Sequence, residues 1–242
     1  MAISLDPKAR LIFALDVSDK KEAQRLVKLL KNYVGCFKVG LELFIKEGPE
    51  ILRLIKDYSP ADIFLDLKLH DIPATVRGAL RSAEKSGARY ITIHSNEGEA
   101  ILETSKEVKD SGLEVLAVTF LTSMHQSQLY KLGFEKTTKL SDLVLDRALK
   151  AQQSGCAGVI CSGEEIAKVK QKCGDDFKVV SPGIRPEWSK ISLDDQSRIT
   201  TPRKAIQAGA DLIVVGRPIR DAKNPDEAAK KIISEINDTA RQ

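Results

Sequence analysis

The chain has 242 residues, of which 42% are apolar, and this suits one large globular α/β domain or two small ones. Its formal net charge is +4, and Lys and Arg are spread along the chain without a basic arm or an aromatic-interleaved basic patch, which argues against a nucleic-acid-binding protein. No apolar run approaches the roughly 20 residues that span a bilayer, which argues against a membrane protein.

Eight short apolar runs alternate with segments of helical periodicity. The predicted strands are residues 11–17, 36–39, 63–65, 90–93, 115–118, 157–160, 177–180 and 212–215. The first predicted helix follows a cap at Ser18 or Asp19 and carries its apolar residues on one face. Pro73 suits the first turn of the third predicted helix, which ends near Gly87. The last predicted helix covers about residues 226–236.

Eight strand–helix alternations in a chain of this length are typical of an α/β fold of the (β/α)₈ or TIM-barrel type. The alternative is a doubly wound open sheet, but that fold usually has fewer strands, and no Gly-x-Gly-x-x-Gly follows the first strand here. No linker or shift in composition divides the chain, so we expect residues 1–242 to form a single catalytic domain. Two long connections, residues 122–139 and 181–201, are expected to be functional loops.

The cysteine and histidine patterns favour neither disulfides nor a metal site. The four cysteines form no Cys-x-x-Cys pair, and the polar start of the chain does not resemble a signal peptide. We therefore expect free thiols and a cytoplasmic protein. The three histidines are not at metal-ligand spacing, so we expect no metal.

The most informative stretch is Asp-Leu-Lys-Leu-His-Asp-Ile-Pro-Ala-Thr at residues 66–75, directly after the third strand. Side chains two apart on a strand share a face, so Asp66 and Lys68 are expected to project together, with Asp71 following at the turn into a helix. An isolated Asp-x-Lys is most often a surface ion pair. Here, however, Asp16 and Lys38 come from the first two strands, so four charges converge on one rim of the barrel, where barrel enzymes have their active sites.

The loops after the seventh and eighth strands predict an anion site on the opposite side of the barrel mouth. Phosphate sites in barrels often form from these two loops. Gly216 allows backbone N–H groups to approach a ligand, and Arg185 and Arg217 offer charge-assisted hydrogen bonds.

Residues 66–76 resemble the signature of the orotidine 5′-phosphate decarboxylase family, in its bacterial group. Further segments match in order: residues 13–16, 37–40, 121–123, 181–185, 195–196 and 215–217. The resemblance thus covers nearly the whole chain. It departs after the fourth strand, where Ser95, Asn96 and Glu97 stand in place of the small residues that the family pattern implies.

The resemblance implies a cofactor-free decarboxylation of orotidine 5′-phosphate to uridine 5′-phosphate, the last step of UMP biosynthesis. It implies that Lys68 protonates C6 within a charge array of Lys38, Asp66, Lys68 and Asp71. The residues implied to bind substrate are Asp16 and Lys38 at the ribose, Thr122 and Ser123 at the pyrimidine edge, Pro182 at the ring, and Arg185, Gln196, Gly216 and Arg217 at the phosphate. It also implies a homodimer in which Asp71 and Thr75 reach into the partner's site.

Two other functions remain open at this point. A magnesium-dependent sugar-phosphate lyase or aldolase of the same superfamily is expected to carry an extra acidic metal ligand near the second strand, where this chain has Lys38 and Gly40. A non-catalytic nucleotide-binding barrel is expected to tolerate loss of Lys68, which this chain retains.

Overall fold

The computed structural model describes residues 6–96, 98–189 and 198–240. Eight parallel strands close into a barrel in chain order, and the last strand pairs with the first. The strands are β1 (Leu11–Ala14), β2 (Cys36–Gly40), β3 (Asp62–Leu69), β4 (Tyr90–His94), β5 (Glu114–Val118), β6 (Gly158–Ile160), β7 (Lys178–Ser181) and β8 (Leu212–Val215).

Helices follow the strands around the outside of the barrel. They are α1 (Lys20–Leu30), α2 (Leu41–Glu47), α3 (Glu50–Tyr58), α4 (Pro73–Ser86), α5 (Glu99–Leu102), α6 (Gln126–Lys131), α7 (Leu140–Gln153), α8 (Ile166–Cys173), α9 (Pro202–Gln207), α10 (Arg217–Arg220) and α11 (Pro225–Ala240). Two short 3₁₀ helices cover Pro7–Arg10 and Glu103–Val108. None of these helices in the described residues is both long and apolar enough to cross a membrane.

The predicted TIM barrel is confirmed, and the open-sheet alternative is wrong because β8 closes onto β1. Several predicted strand boundaries differ from the structure by one residue, and two differ by more. The first strand ends at Ala14, so Asp16 lies in the loop beyond it, and the third strand runs on to Leu69, so Asp66 and Lys68 lie within it. The connection between β2 and β3 holds two helices where one was predicted.

The alternation of side chains along each strand divides the core into two layers. Ile12 and Ala14 belong to an apolar cluster with Phe64 and Tyr90 inside the barrel. Leu11, Phe13 and the other strand side chains that point out of the barrel belong to a larger cluster, which packs between the strands and the helices. The barrel is therefore filled by side chains, and a ligand site has to lie at one of its ends.

The helix caps follow the sequence signals. Asp19 caps α1 by accepting a hydrogen bond from the Glu22 N–H at 2.9 Å, and the buried face of α1 is the predicted one. Pro73 begins α4, and Gly87 ends it with φ of 73°, a left-handed conformation that glycine adopts at little cost. Asp19 and Pro73 thus mark where the loops that follow β1 and β3 end.

Candidate active site

A cleft with a volume of about 780 Å³ opens where the strands of the barrel end. Ten of the predicted site residues line it: Asp16, Lys38, Asp66, Lys68, Thr122, Ser123, Pro182, Arg185, Gly216 and Arg217. Apolar side chains of the barrel interior, among them Phe64 and Val118, form its floor. The cleft thus joins the charged rim to the loops predicted to bind an anion.

Four charged side chains alternate in sign along one wall of the cleft. Lys38 Nζ donates to Asp16 Oδ1 at 2.9 Å and lies 3.5 Å from Asp66 Oδ2. Lys68 Nζ donates to Asp66 Oδ1 at 2.8 Å. We call Asp16, Lys38, Asp66 and Lys68 the charge chain. Because it holds two carboxylates and two ammonium groups, each buried charge has a partner of opposite sign, which offsets much of the cost of desolvation.

The inner members of the charge chain stay ionised because of their neighbours. Burial by itself raises the pKa of Asp66, but the charges of Lys38 and Lys68, with hydrogen bonds from Lys68 and Thr92, outweigh burial and hold that pKa below its usual value. Burial by itself lowers the pKa of Lys38, but Asp16 and Asp66 outweigh it and raise that pKa above its usual value. The pair is therefore charged at neutral pH.

An irregularity in β3 brings Asp66 and Lys68 onto the same wall. Leu65 pairs with Ile91 of β4, and the next pair is Leu69 with Ile93, so three residues of β3 stand opposite Thr92 alone. Lys68 has φ of 50° and is the sole non-glycine residue with a positive φ in the described parts of the chain. The predicted shared face is thus reached through a bulge and not through regular strand alternation.

Glycine at position 40 leaves room for the charge chain. A Cβ atom there would lie 3.2 Å from Asp16 Oδ1 and 3.3 Å from Lys38 Nζ. These distances are tighter than ordinary contacts, so a side chain at position 40 would require the ion pair to shift by a few tenths of an ångström. In the sequence, Gly40 belongs to the matching segment 37–40 and stands where a metal-dependent relative is expected to carry an acidic ligand; the structure adds a steric reason for glycine there.

Asp71 and Thr75 do not line the large cleft within this subunit. Both are exposed, and both line a second, smaller cavity of about 350 Å³ that Lys68 also borders. The Asp71 carboxylate accepts a hydrogen bond from the Ile72 N–H at 2.6 Å. Lys68 thus stands between the large cleft and the surface that carries Asp71.

The ends of the predicted phosphate loop are tied together by backbone hydrogen bonds. Arg185 N donates to Thr200 O at 2.8 Å, and Thr200 N donates to Gly183 O at 3.1 Å. Arg185 lines the large cleft, as does Arg217, which begins α10. Gln196, also predicted at this end, lies outside the described residues.

A buried ion pair beside the cleft was not predicted from the sequence. Arg198 Nη1 donates to Glu165 Oε1, and the hydroxyl of Ser162 donates to Glu165 Oε2. Arg198 Nη2 also donates to the carbonyl oxygen of Leu121 at 3.3 Å. The pair therefore links the loops that follow β5, β6 and β7. Charged residues in polar loops carry no sequence signal that predicts this burial.

The described residues hold no group of three or more His, Cys, Asp or Glu side chains that could bind a metal ion. The four cysteines are free and buried.

The family model of the orotidine 5′-phosphate decarboxylase / HUMPS family matches residues 9–232, which is nearly the whole chain. The chain belongs to this family. The family resemblance inferred from residues 66–76 is therefore confirmed.

Named relatives match this chain in sequence over nearly the full length of both proteins. A protein named orotidine 5′-phosphate decarboxylase from Desulfosudis oleivorans is 44% identical over 238 residues, which cover 97% of this chain and 96% of that protein. One of the same name from Syntrophomonas wolfei is 44% identical over 242 residues, covering 97% of this chain and all of that protein. The solved structure of orotidine 5′-phosphate decarboxylase from Lactobacillus acidophilus superposes with a TM-score of 0.80 at 34% identity, covering 94% of this chain and 98% of that one.

Proposed function

We propose that this protein decarboxylates orotidine 5′-phosphate to uridine 5′-phosphate, the last step of UMP biosynthesis. The observation that carries the proposal is the charge chain, two lysines and two aspartates in contact along one wall of a nucleotide-sized cleft. Membership of the decarboxylase family over nearly the whole chain supports the same reaction. No observation on the described residues specifically favours the lyase or aldolase alternative or the non-catalytic nucleotide-binding barrel.

The proposed chemistry needs a cation and a proton at one carbon atom. The bond between C6 and the substrate carboxylate breaks, carbon dioxide leaves, and the electron pair stays on C6. In our proposal the Lys68 ammonium stabilises that pair, gives its proton to C6 and is reprotonated from water. Asp66, Lys38 and the partner's Asp71 complete an array that is preorganised around the developing charge, so little reorganisation is needed in the transition state.

The remaining assignments concern binding. Asp16 and Lys38 hold the ribose hydroxyls, Thr122 and Ser123 contact the pyrimidine edge, and Pro182 packs on the ring. The groups assigned to the phosphate are Arg185, Gln196, Gly216 and Arg217. Phosphate binding far from C6 supplies energy that is used at the reacting carbon. Arg185, Gly216 and Arg217 all line the large cleft, which supports their assignment to one bound group.

We also propose a homodimer in which Asp71 and Thr75 complete the partner's site. The exposed apolar residues Leu41, Ile45 and Ile72, which lie after the neighbouring strands β2 and β3, support an interface on this side of the barrel. A single domain and a cytoplasmic location complete the proposal, the latter supported by the free cysteines.

Subunit mixing tests the shared site. Lys68→Ala and Asp71→Ala subunits are each expected to be inactive alone. In a mixed dimer with shared sites, one site carries both lesions and the other carries neither, so activity should return to about half that of a wild-type dimer. Absence of recovery, with subunit exchange confirmed by mass spectrometry, would refute the shared site and leave the reaction standing.

The reaction itself is tested by the ultraviolet absorbance change of orotidine 5′-phosphate, with and without prior dialysis against a strong chelator. We expect turnover that the chelator leaves unchanged. A requirement restored by magnesium would favour the lyase or aldolase alternative. Nucleotide binding without turnover would favour the non-catalytic barrel.

A further inference from the structure

The hydroxyl of Thr92 joins two neighbouring members of the charge chain, Asp66 and Lys68. Thr92 is fully buried in the middle of β4. Its Oγ1 accepts a hydrogen bond from the backbone N–H of Lys68 at 2.8 Å and donates one to Asp66 Oδ1 at 3.0 Å. One hydroxyl therefore contacts both the carboxylate of Asp66 and the backbone that carries the Lys68 ammonium.

The bulge in β3 creates the need for this hydroxyl. Three residues of β3 stand opposite Thr92, so the regular ladder between β3 and β4 is interrupted at Lys68. A buried backbone N–H without an acceptor costs free energy, and the left-handed conformation of Lys68 adds a further cost. The Thr92 hydroxyl supplies the acceptor that the ladder lacks and so helps to hold Lys68 in that conformation.

The same hydroxyl helps to fix which partners each carboxylate oxygen of Asp66 contacts. Oδ2 faces Lys38 from β2 at 3.5 Å, while Oδ1 accepts from Lys68 on its own strand and from Thr92 on β4. The charged groups that face Asp66 are thus the two lysines, and Thr92 is the neutral donor on the third side. Without it, the carboxylate keeps its contacts with the two ammonium groups but loses the donor from β4 that helps to fix its orientation.

We propose that Thr92 is a positioning residue for the decarboxylation: its hydroxyl sets the orientation of Asp66 and of the Lys68 backbone so that the Lys68 ammonium points into the cleft. This inference rests on the proposed function, because it concerns the same pair of groups. It assigns no contact between Thr92 and the substrate.

The test compares Thr92→Val, which keeps the shape and removes the hydroxyl, with Thr92→Ser, which keeps the hydroxyl. Loss of a hydrogen bond to a charged group corresponds to a factor of about 10 to 150, so kcat of Thr92→Val should fall by about that factor. The KM for orotidine 5′-phosphate should change less than about threefold, because the groups assigned to ribose and phosphate are untouched. Thr92→Ser should retain kcat within about threefold of the wild type.

The pH profile separates positioning from a general loss of stability. The hydroxyl donates to the ionised carboxylate and so contributes to the low pKa of Asp66. Asp66 is ionised above its pKa and loses its charge as the pH falls through it. Removing the donor raises that pKa, so the acid limb of the kcat profile should move to higher pH in Thr92→Val and stay in place in Thr92→Ser.

Thr104→Val is the matched control, since Thr104 is equally buried but donates to the carbonyl oxygen of Ile101, away from the cleft. Wild-type kcat and an unmoved acid limb in Thr92→Val would overturn the proposal, as would equal losses in Thr92→Val and Thr92→Ser. If the valine variant does not fold, Thr92→Ala against Thr92→Ser makes the same comparison. An inactive wild type would instead refute the proposed function itself.

Discussion

Removing the charge of Glu165 should destabilise the protein far more than removing the charge of an exposed partner. The side chains of Glu165 and Arg198 are only 4% and 6% exposed, and Arg198 Nε is buried with no hydrogen-bond partner among the described residues. Glu165→Gln keeps the shape of the side chain and an acceptor oxygen but leaves the guanidinium as an unpaired buried charge. The cost of breaking a buried pair is about 3–5 kcal/mol, and the retained acceptor places this variant near the lower value.

The expected change in melting temperature follows from the size of the chain. An unfolding entropy of about 2.1 cal/mol/K per residue gives about 0.5 kcal/mol/K for 242 residues. A loss of about 3 kcal/mol then lowers the Tm by about 6 °C. Thermal unfolding followed by circular dichroism measures this shift.

Glu22→Gln is the matched control. Glu22 pairs with Arg25 at 2.7 Å, but the two side chains are 41% and 53% exposed, so the pair is worth less than about 1 kcal/mol and the Tm should fall by less than about 2 °C. The double variant Glu165→Gln/Arg198→Met should be less destabilised than the sum of its single variants, because each single variant leaves one buried charge unpaired. Equal shifts for the Glu165 and Glu22 variants, or strict additivity, would refute the reasoning.

Three further predictions concern the cleft and the thiols. Lys68→Ala should lower kcat by at least about a thousandfold, which corresponds to about 4 kcal/mol of barrier, while calorimetry should show that uridine 5′-phosphate binds with nearly unchanged affinity. Near-normal turnover would contradict the assignment of Lys68. Arg217→Ala should raise KM about 10- to 150-fold through loss of a charge-assisted hydrogen bond to the phosphate. The unphosphorylated nucleoside should be a poor substrate of the wild type, and equal efficiency of nucleoside and nucleotide would refute the phosphate site. Burial raises the pKa of every thiol, and that of Cys156 to about 12. A thiol reagent at pH 8 should therefore label the native protein slowly, and it should label all four cysteines after denaturation; fast labelling of the native protein would contradict their burial.

The barrel was predictable from the sequence because its signals are local. Strand and helix periodicities, the cap at Asp19 and the stop at Gly87 each depend on residues close together in the chain. Once eight strand–helix units are recognised, the parallel order brings the strand ends to one rim, and Asp16, Lys38 and Asp66 meet there as predicted.

The position of Asp71 shows where resemblance goes further than local signals. Its motif is evident in the sequence, but within the subunit the described contact of its carboxylate is to the backbone of Ile72. Whether Asp71 acts on its own site or the partner's depends on a second chain, and neither spacing nor the fold of one subunit decides it.

The sequence predicted the eight alternations of strand and helix, the barrel that they form and the charged residues near the strand ends. The groups that hold those charges in place become evident only in the folded structure. Thr92 reaches Lys68 across 24 positions of the chain, and Arg198 reaches Glu165 across 33. The physical reason is that a bulge and a buried ion pair arise from the fit between segments distant in sequence, which no local periodicity encodes.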